Sequence, residues 1–420
     1  MAIKKIRVKN FKSFKELDVE LGDLNILIGA NASGKSNFID IFRFLRDIRN
    51  SGLENAISLQ GNAKYIRNVN IGSSGALSLE VISDREVGLS MRTGNKFIGI
   101  KTEKTIYKFA VAFEKTELGF KVAEDELILK CDFVRLEKIE SGKIEKTEEF
   151  GLGKIICSNI DGKVSVRQEL PAGVPDDILL PLFLEEKKIP PKTLLLEAVF
   201  PVPSIALLFL DRVFSDIPIY DFDPKFARRY APISGKADLE ENGNNLAIAI
   251  NNIIESEDGK RKLMNLVTYL LDFVDDLDVE RRSIDGSFLL KIRETYSEKF
   301  LPAHLISDGT INMIALIIAL YFGKESLTII EEPARGIHPY LISGVVDMME
   351  DASESKQIIV TTHNPEMVRY ANEKDLLLIS RDYEGFSSIS KPSDKEDLKT
   401  FLKNGLRVED LYVDSLLETL

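Results

Sequence analysis

The chain has 420 residues, enough for two or three domains that each bury a core of their own. Its 44% apolar and 29% charged content is that of a soluble globular protein, and a formal net charge of −12 argues against a surface coated for non-specific nucleic-acid binding. Two cysteines, Cys131 and Cys157, cannot by themselves form a zinc site and three histidines do little to help, no apolar leader opens the chain, and the longest apolar run, residues 311–322, is too short to cross a bilayer. A cytoplasmic protein with reduced thiols and no membrane partner is expected.

Residues 3–8 alternate as Ile3, Ile6 and Val8 among basic residues, the pattern of a strand. A turn at residues 10–14 leads to a second alternating strand through Leu17, Val19 and Leu21. Lys4, Lys5, Arg7, Lys9, Lys12 and Lys15 occupy the first fifteen residues without an acidic neighbour. They form either a local basic patch or the solvent-facing positions of an edge strand. Gly22-Asp23 turns the chain into a short apolar strand, Leu24 to Ile28, and Gly29-Ala30-Asn31-Ala32-Ser33-Gly34-Lys35-Ser36 follows.

That stretch fits G-x-x-x-x-G-K-[ST], a phosphate-binding loop between a strand and a helix. The helix is read from Phe38, Ile41, Phe42, Leu45 and Ile48, which share one face. Glycines let backbone N–H groups turn inward around a phosphate, and the helix N-terminus adds its positive end. Lys35 is placed to reach β- and γ-phosphates and the Ser36 hydroxyl to ligate Mg²⁺, so ATP and Mg²⁺ are the expected cofactors.

From about 50 to 75 the helical pattern breaks into Gly- and Asn-rich connections. Residues 76–170 read as recurring short strands of an antiparallel lobe, and 175–215 as short Leu-rich helices punctuated by prolines. No heptad is sustained, so no long coiled coil is expected. Residues 220–224 form a strand running into a turn, 241–247 a helix entry, with helices to about 275 and strands around 277–279 and 288–292. The expected organisation is a nucleotide domain from 1–75 and 216–420, interrupted by a β and helical lobe at 76–215.

Three clusters follow. Ser307-Asp308-Gly309-Thr310 precedes the apolar helix, and taken alone would be an ordinary N-cap. Strand 327–331 ends in Glu331-Glu332, where one carboxylate can hold Mg²⁺ and the other polarise water. Two merely solvated glutamates are the alternative, which the phosphate loop disfavours. Strand 358–362 ends at His363, either structural or placed to hydrogen-bond a γ-phosphate.

In this order the clusters resemble ABC-type P-loop ATPases of the RecF/SMC/OLD branch, close to the AAA_21-like group. Residues 6–14 are similar to the branch's N-terminal strand and turn, and 28–37, through Asn37, to its Walker A. Residues 220–224, 242–247 and 405–411 resemble further stretches of the group. The resemblance implies an α/β fold, a mixed sheet flanked by helices, with the inserted antiparallel β and helical lobe.

It also implies that Ser307, Asp308, Gly309 and Thr310 are the signature, which in the family contacts the nucleotide of the opposite subunit. Glu331 takes the Walker B magnesium position, Glu332 that of the catalytic base, residues 334–339 the D-loop and His363 the switch histidine. Departures are Glu331 in place of Asp, Ser-Asp-Gly-Thr in place of Ser-Gly-Gly-Gln, and no placeable Q-loop among Gln60, Gln168 and Gln357. The 57 residues after His363 are too few for a Toprim nuclease. A head-to-tail homodimer sandwiching ATP is the implied state, with turnover slow until a partner binds. Its output would be control of a separately encoded effector, for instance a phage-defence nuclease, or direct action on DNA in repair or chromosome maintenance.

Overall fold

The computed structural model describes residues 3–93, 96–114, 119–138, 144–176, 187–190, 192–197, 204–232 and 236–394. The resemblance at 405–411 and parts of the expected short helices before 204 lie outside these. Backbone packing divides the chain into two compact units. One comprises Met1–Gly22, Ser36–Ile217 and Arg381–Ile389; the other comprises Asp23–Lys35, Pro218–Ser380 and Ser390–Leu420. In packing, the N-terminal strands group with residues 36–217.

The first unit is built on a nine-stranded sheet. Strand Lys5–Phe11 pairs antiparallel with Phe14–Glu20 on one side and with Leu77–Ser83 on the other. The sheet continues through three long strands, Lys96–Phe113, Phe120–Lys138 and Ile144–Ile160, to Lys163–Glu169. The alternation in Lys5–Phe11 buries Ile6 and Val8 completely. Helix Lys35–Ser51 buries the predicted stripe of Phe38, Ile41, Phe42, Leu45 and Ile48, and Phe44 as well. Phe44 lies between Phe11, 5.9 Å away by ring centroids, and Phe109, 6.4 Å away.

Two expectations are corrected here. Lys5–Phe11 is no edge strand, and its basic residues form no free patch, because strand pairing sets carboxylates beside them. Lys5 meets Asp18 at 2.7 Å, Arg7 meets Asp18 at 3.0 Å and Glu80 at 2.6 Å, and Lys9 meets Glu16 at 2.9 Å. Lys4 pairs with Asp84 at 3.5 Å, and Lys12 with Asp40. Residues 50–75 are also more regular than read, with short helices Leu53–Leu59 and Ala63–Ile66. In the 175–215 stretch the described residues hold one helix, Ser204–Phe214. Cys131 and Cys157 are free and buried, and burial pushes both thiols up to about 12.

The second unit carries a parallel sheet. Ile219–Tyr220, Leu327–Glu331, Gln357–Thr362, Leu24–Ile28 and Leu376–Arg381 lie in that order, each pair parallel. Gln357–Thr362 and Leu24–Ile28 are buried along their whole length, which accounts for their continuous apolar runs. The apolar run is a core helix, Asp308–Tyr321, with every residue from Thr310 to Leu320 buried. Helices Leu246–Ile254 and Glu257–Leu270 and the strands Val274–Arg281, Phe288–Glu294 and Phe300–Pro302 complete this unit's core. Among the described residues no helix is long and apolar enough to cross a membrane.

Candidate ATP site

A parallel sheet delivers the C-terminal ends of its strands to one edge. Register brings Glu331 opposite Thr361 and Thr362 opposite Ile28, so Glu331, Glu332, His363 and the loop after Ile28 emerge side by side. In that loop Ala32 and Gly34 adopt positive φ, 66° and 115°, which turns successive N–H groups to one side. A side chain at Gly29 would run into the Ile379 carbonyl oxygen. Lys35 Nζ donates to the Gly29 carbonyl at 2.6 Å and the Ala30 carbonyl at 2.9 Å. Partial burial pulls its pKa below the ordinary 10.5, and the nearby Glu332 carboxylate opposes that.

Glu332 leaves its strand with φ 49°, a left-handed conformation uncommon outside glycine. Its N–H donates to the Thr361 carbonyl at 2.9 Å. The carboxylate lies 2.6 Å from His363 Nδ1 and accepts longer contacts, 3.4 Å each, from the Thr362 hydroxyl and the His363 N–H. Glu332 is largely buried, whereas the His363 ring is exposed. The histidine thus orients the carboxylate from the solvent side.

Ser307 caps helix Asp308–Tyr321: its hydroxyl accepts from the Thr310 N–H at 3.2 Å and lies 2.7 Å from the Thr310 hydroxyl. Asp308 pairs with Arg228 at 2.7 Å, and Arg228 also donates to the Ile306 carbonyl. At Gly309 any side chain would collide with the Gly336 carbonyl oxygen, and Asn312 donates to the Arg335 carbonyl at 2.9 Å. The loop 334–339 is therefore fastened to the helix start that carries Ser307 to Thr310.

Ser36 and Asn37 belong to the first unit and are described there. Ser36 is exposed, and the Asn37 amide donates to the Ser13 hydroxyl at 2.8 Å. Among the described residues no three His, Cys, Asp or Glu side chains form a metal-holding group.

A family model described as "AAA ATPase domain" matches residues 1–171, and one described as "AAA domain, putative AbiEii toxin, Type IV TA system" matches residues 206–369. Over both stretches the chain is similar to AAA-type ATPase domains. The DNA replication and repair protein RecF of Streptococcus uberis is 36% identical over 91 residues, 20% of this chain and 25% of that protein. The chain thus aligns with about a quarter of that relative's length. Among solved structures it is similar to an Smc head domain with an extended coiled coil, bound to the C-terminal domain of ScpA, from Pyrococcus furiosus. That match has TM-score 0.48 and 12% identity, and covers 96% of this chain and 99% of that one. The SMC head domain from Thermotoga maritima gives TM-score 0.43 and 13% identity, covering 93% and 99%.

Arg228 escaped the reading of the sequence, and so did the partner of Arg335, which lies in the 334–339 stretch singled out there, because each arginine acts on a residue far away in the chain: Arg335 pairs with Asp221 at 3.0 Å. Asn312 carried a visible signal, the one amide inside an apolar run, and its partner is the Arg335 backbone.

Proposed function

We propose that the chain binds and hydrolyses ATP with Mg²⁺ at residues 29–37, Glu331, Glu332 and His363. In this reading 1–75 and 216–420 form the ATPase part and 76–215 the lobe it moves. The observation that carries it is the Glu332–His363 contact at the strand edge that also bears the phosphate loop. Lys35 and the N–H groups of residues 30–36 bind the phosphates, and bound Mg²⁺, held by Ser36 and Glu331, supplies positive charge to the phosphoryl oxygens. Glu332 accepts the proton of the attacking water, and His363 keeps its carboxylate in place.

Ser307, Asp308, Gly309 and Thr310 of a second copy close the site in a head-to-tail homodimer, a closure that depends on the γ-phosphate. The two states of this cytoplasmic switch act on a separately encoded effector, for instance a phage-defence nuclease, whose docking speeds an otherwise slow hydrolysis. Pairing of the N-terminal lysines with carboxylates leaves that stretch poorly suited to DNA, which favours effector control over direct DNA repair chemistry. The test is the solution mass of Glu332→Gln. A doubling on adding ATP·Mg²⁺ is expected, and a variant that stays monomeric while binding ATP overturns the sandwich.

A further inference from the structure

The sheet of the first unit holds an arginine that no carboxylate among the described residues neutralises. Pairing of Leu77–Ser83 with Lys96–Phe113 sets Ser83 opposite Thr105 and Val81 opposite Tyr107, so these four side chains share a face. Tyr107 packs against Phe214, 6.2 Å away by ring centroids. That face therefore lies under the last turn of helix Ser204–Phe214, the turn that carries Arg212. Two positions past Ser83 comes Arg85, whose N–H donates to the Ser83 hydroxyl at 3.1 Å.

One terminal nitrogen of Arg85 is shut off from solvent and has no hydrogen-bond partner among the described residues. Its acidic neighbours in the chain are engaged elsewhere, Asp84 with Lys4 at 3.5 Å and Glu86 with Lys101 at 2.6 Å. What Arg85 meets instead is a like charge. Burial, and after it the Arg212 guanidinium, pull its pKa below the ordinary 12.5. Thr105 is 1% exposed, and its hydroxyl too has no partner among the described residues. A buried donor left unmade is costly, and a second cation beside it adds to the cost. Arg212 alone suits the negative end of its helix, but that role leaves Arg85 and Thr105 unexplained.

We propose that Arg85, Arg212 and the Thr105 hydroxyl bind a phosphate-class oxyanion, free or as a monoester. Two guanidiniums and a neutral donor match an ion of about two charges with three acceptor oxygens, which a carboxylate does not offer. The ion joins the sheet to helix Ser204–Phe214, which Arg49 ties to helix Lys35–Ser51 through Asp211 at 3.3 Å. The proposal is independent of the ATPase reading.

Thermal melts of the full chain in phosphate and in chloride, at equal ionic strength, test it. Every protein carries Lys35→Ala, which silences the phosphate loop, the other place where the ion is expected to bind. Saturating phosphate should raise the melting temperature by roughly 2 °C or more. Adding Arg85→Met with Arg212→Gln should abolish that rise. Arg85→Met keeps the apolar stem and removes the charge, so in chloride it should melt no lower than its parent. Thr105→Val should weaken phosphate binding about tenfold by titration calorimetry, with the melt in chloride unchanged. A rise with phosphoserine equal to that with orthophosphate assigns the site to monoesters, and a rise with orthophosphate alone assigns it to the free ion. No rise in the Lys35→Ala parent, an undiminished rise in the double arginine variant, or an equal rise with acetate overturns the proposal. So does a lower melt of Arg85→Met in chloride, the mark of a structural arginine.

Discussion

Gly309 sits where the start of a core helix and the loop 334–339 touch, with no room for a methyl group against the Gly336 carbonyl. Gly309→Ala must therefore push helix and loop apart, an overpacking cost of roughly 1–3 kcal/mol visible as a lower melting temperature. If the signature assignment is right, hydrolysis falls further than nucleotide affinity in that variant. Glu332→Gln keeps the side-chain shape and should lower the hydrolysis rate by about 10²-fold or more while ATP affinity, followed by titration calorimetry, stays within a few-fold. The residues of this kind were readable because their chemistry is local: Gly-Lys-Ser and Glu-Glu are each a few residues long and bracketed by apolar runs. Arg228 was not, since Asp308 lies eighty positions on and nothing in the intervening sequence marks the pairing.

The turn at residues 10–14 is an element whose conformation its own residues do not explain. Asn10 and Lys12 hold positive φ, 55° and 46°, without being glycine. Asn68 maintains them: its N–H donates to the Asn10 side chain at 3.0 Å and its amide donates to the Lys12 carbonyl at 2.7 Å. The Asn10 amide in turn donates to the Gly75 carbonyl at 2.5 Å. Between them lies Ser13, which accepts from Asn37 and lies 2.8 Å from the Ser387 hydroxyl. Asn68→Ala keeps its own N–H bond to Asn10 but removes the donor to the Lys12 carbonyl and the acceptor for the Asn70 and Ile71 N–H groups, and should cost roughly 1–3 kcal/mol in urea denaturation, with a non-additive double-mutant cycle against Asn10→Ala. The turn was legible as a turn. Its clamp was not, because the stretch from 50 to 75 shows no periodicity while its Asn side chains bond backbone elsewhere.

At the scale of the molecule, the antiparallel sheet buries a carboxylate. Asp125 accepts from the Tyr107 hydroxyl at 3.0 Å, the Asn159 amide at 2.9 Å and the Leu195 N–H at 2.7 Å, yet burial outweighs these donors and pushes its pKa up to about 7 from the ordinary 3.8. Folding then takes up a proton between those two values. Stability is highest below that window, declines as pH rises through it and levels off above about 7. Thermal melts from pH 5 to 8 should show this decline, and Asp125→Asn should flatten it. Four strands of the parallel sheet were legible, each a short apolar run bounded by polar clusters, whereas Leu376–Arg381 went unread. The antiparallel one was legible only in kind. Its strands exceed their apolar runs, interrupted by charged residues facing solvent, and the pairing of residues 5–9 with 78–82 spans a distance no local pattern records. The longest of these strands has 19 residues, about 60 Å at 3.3 Å per residue. Taken as a straight lever, a strand of that length turns a tilt of about 5° at one end into about 5 Å at the other, a whole strand spacing. Small rearrangements near the N-terminal hairpin can thus be read out, as travel, by whatever rests against the distant end.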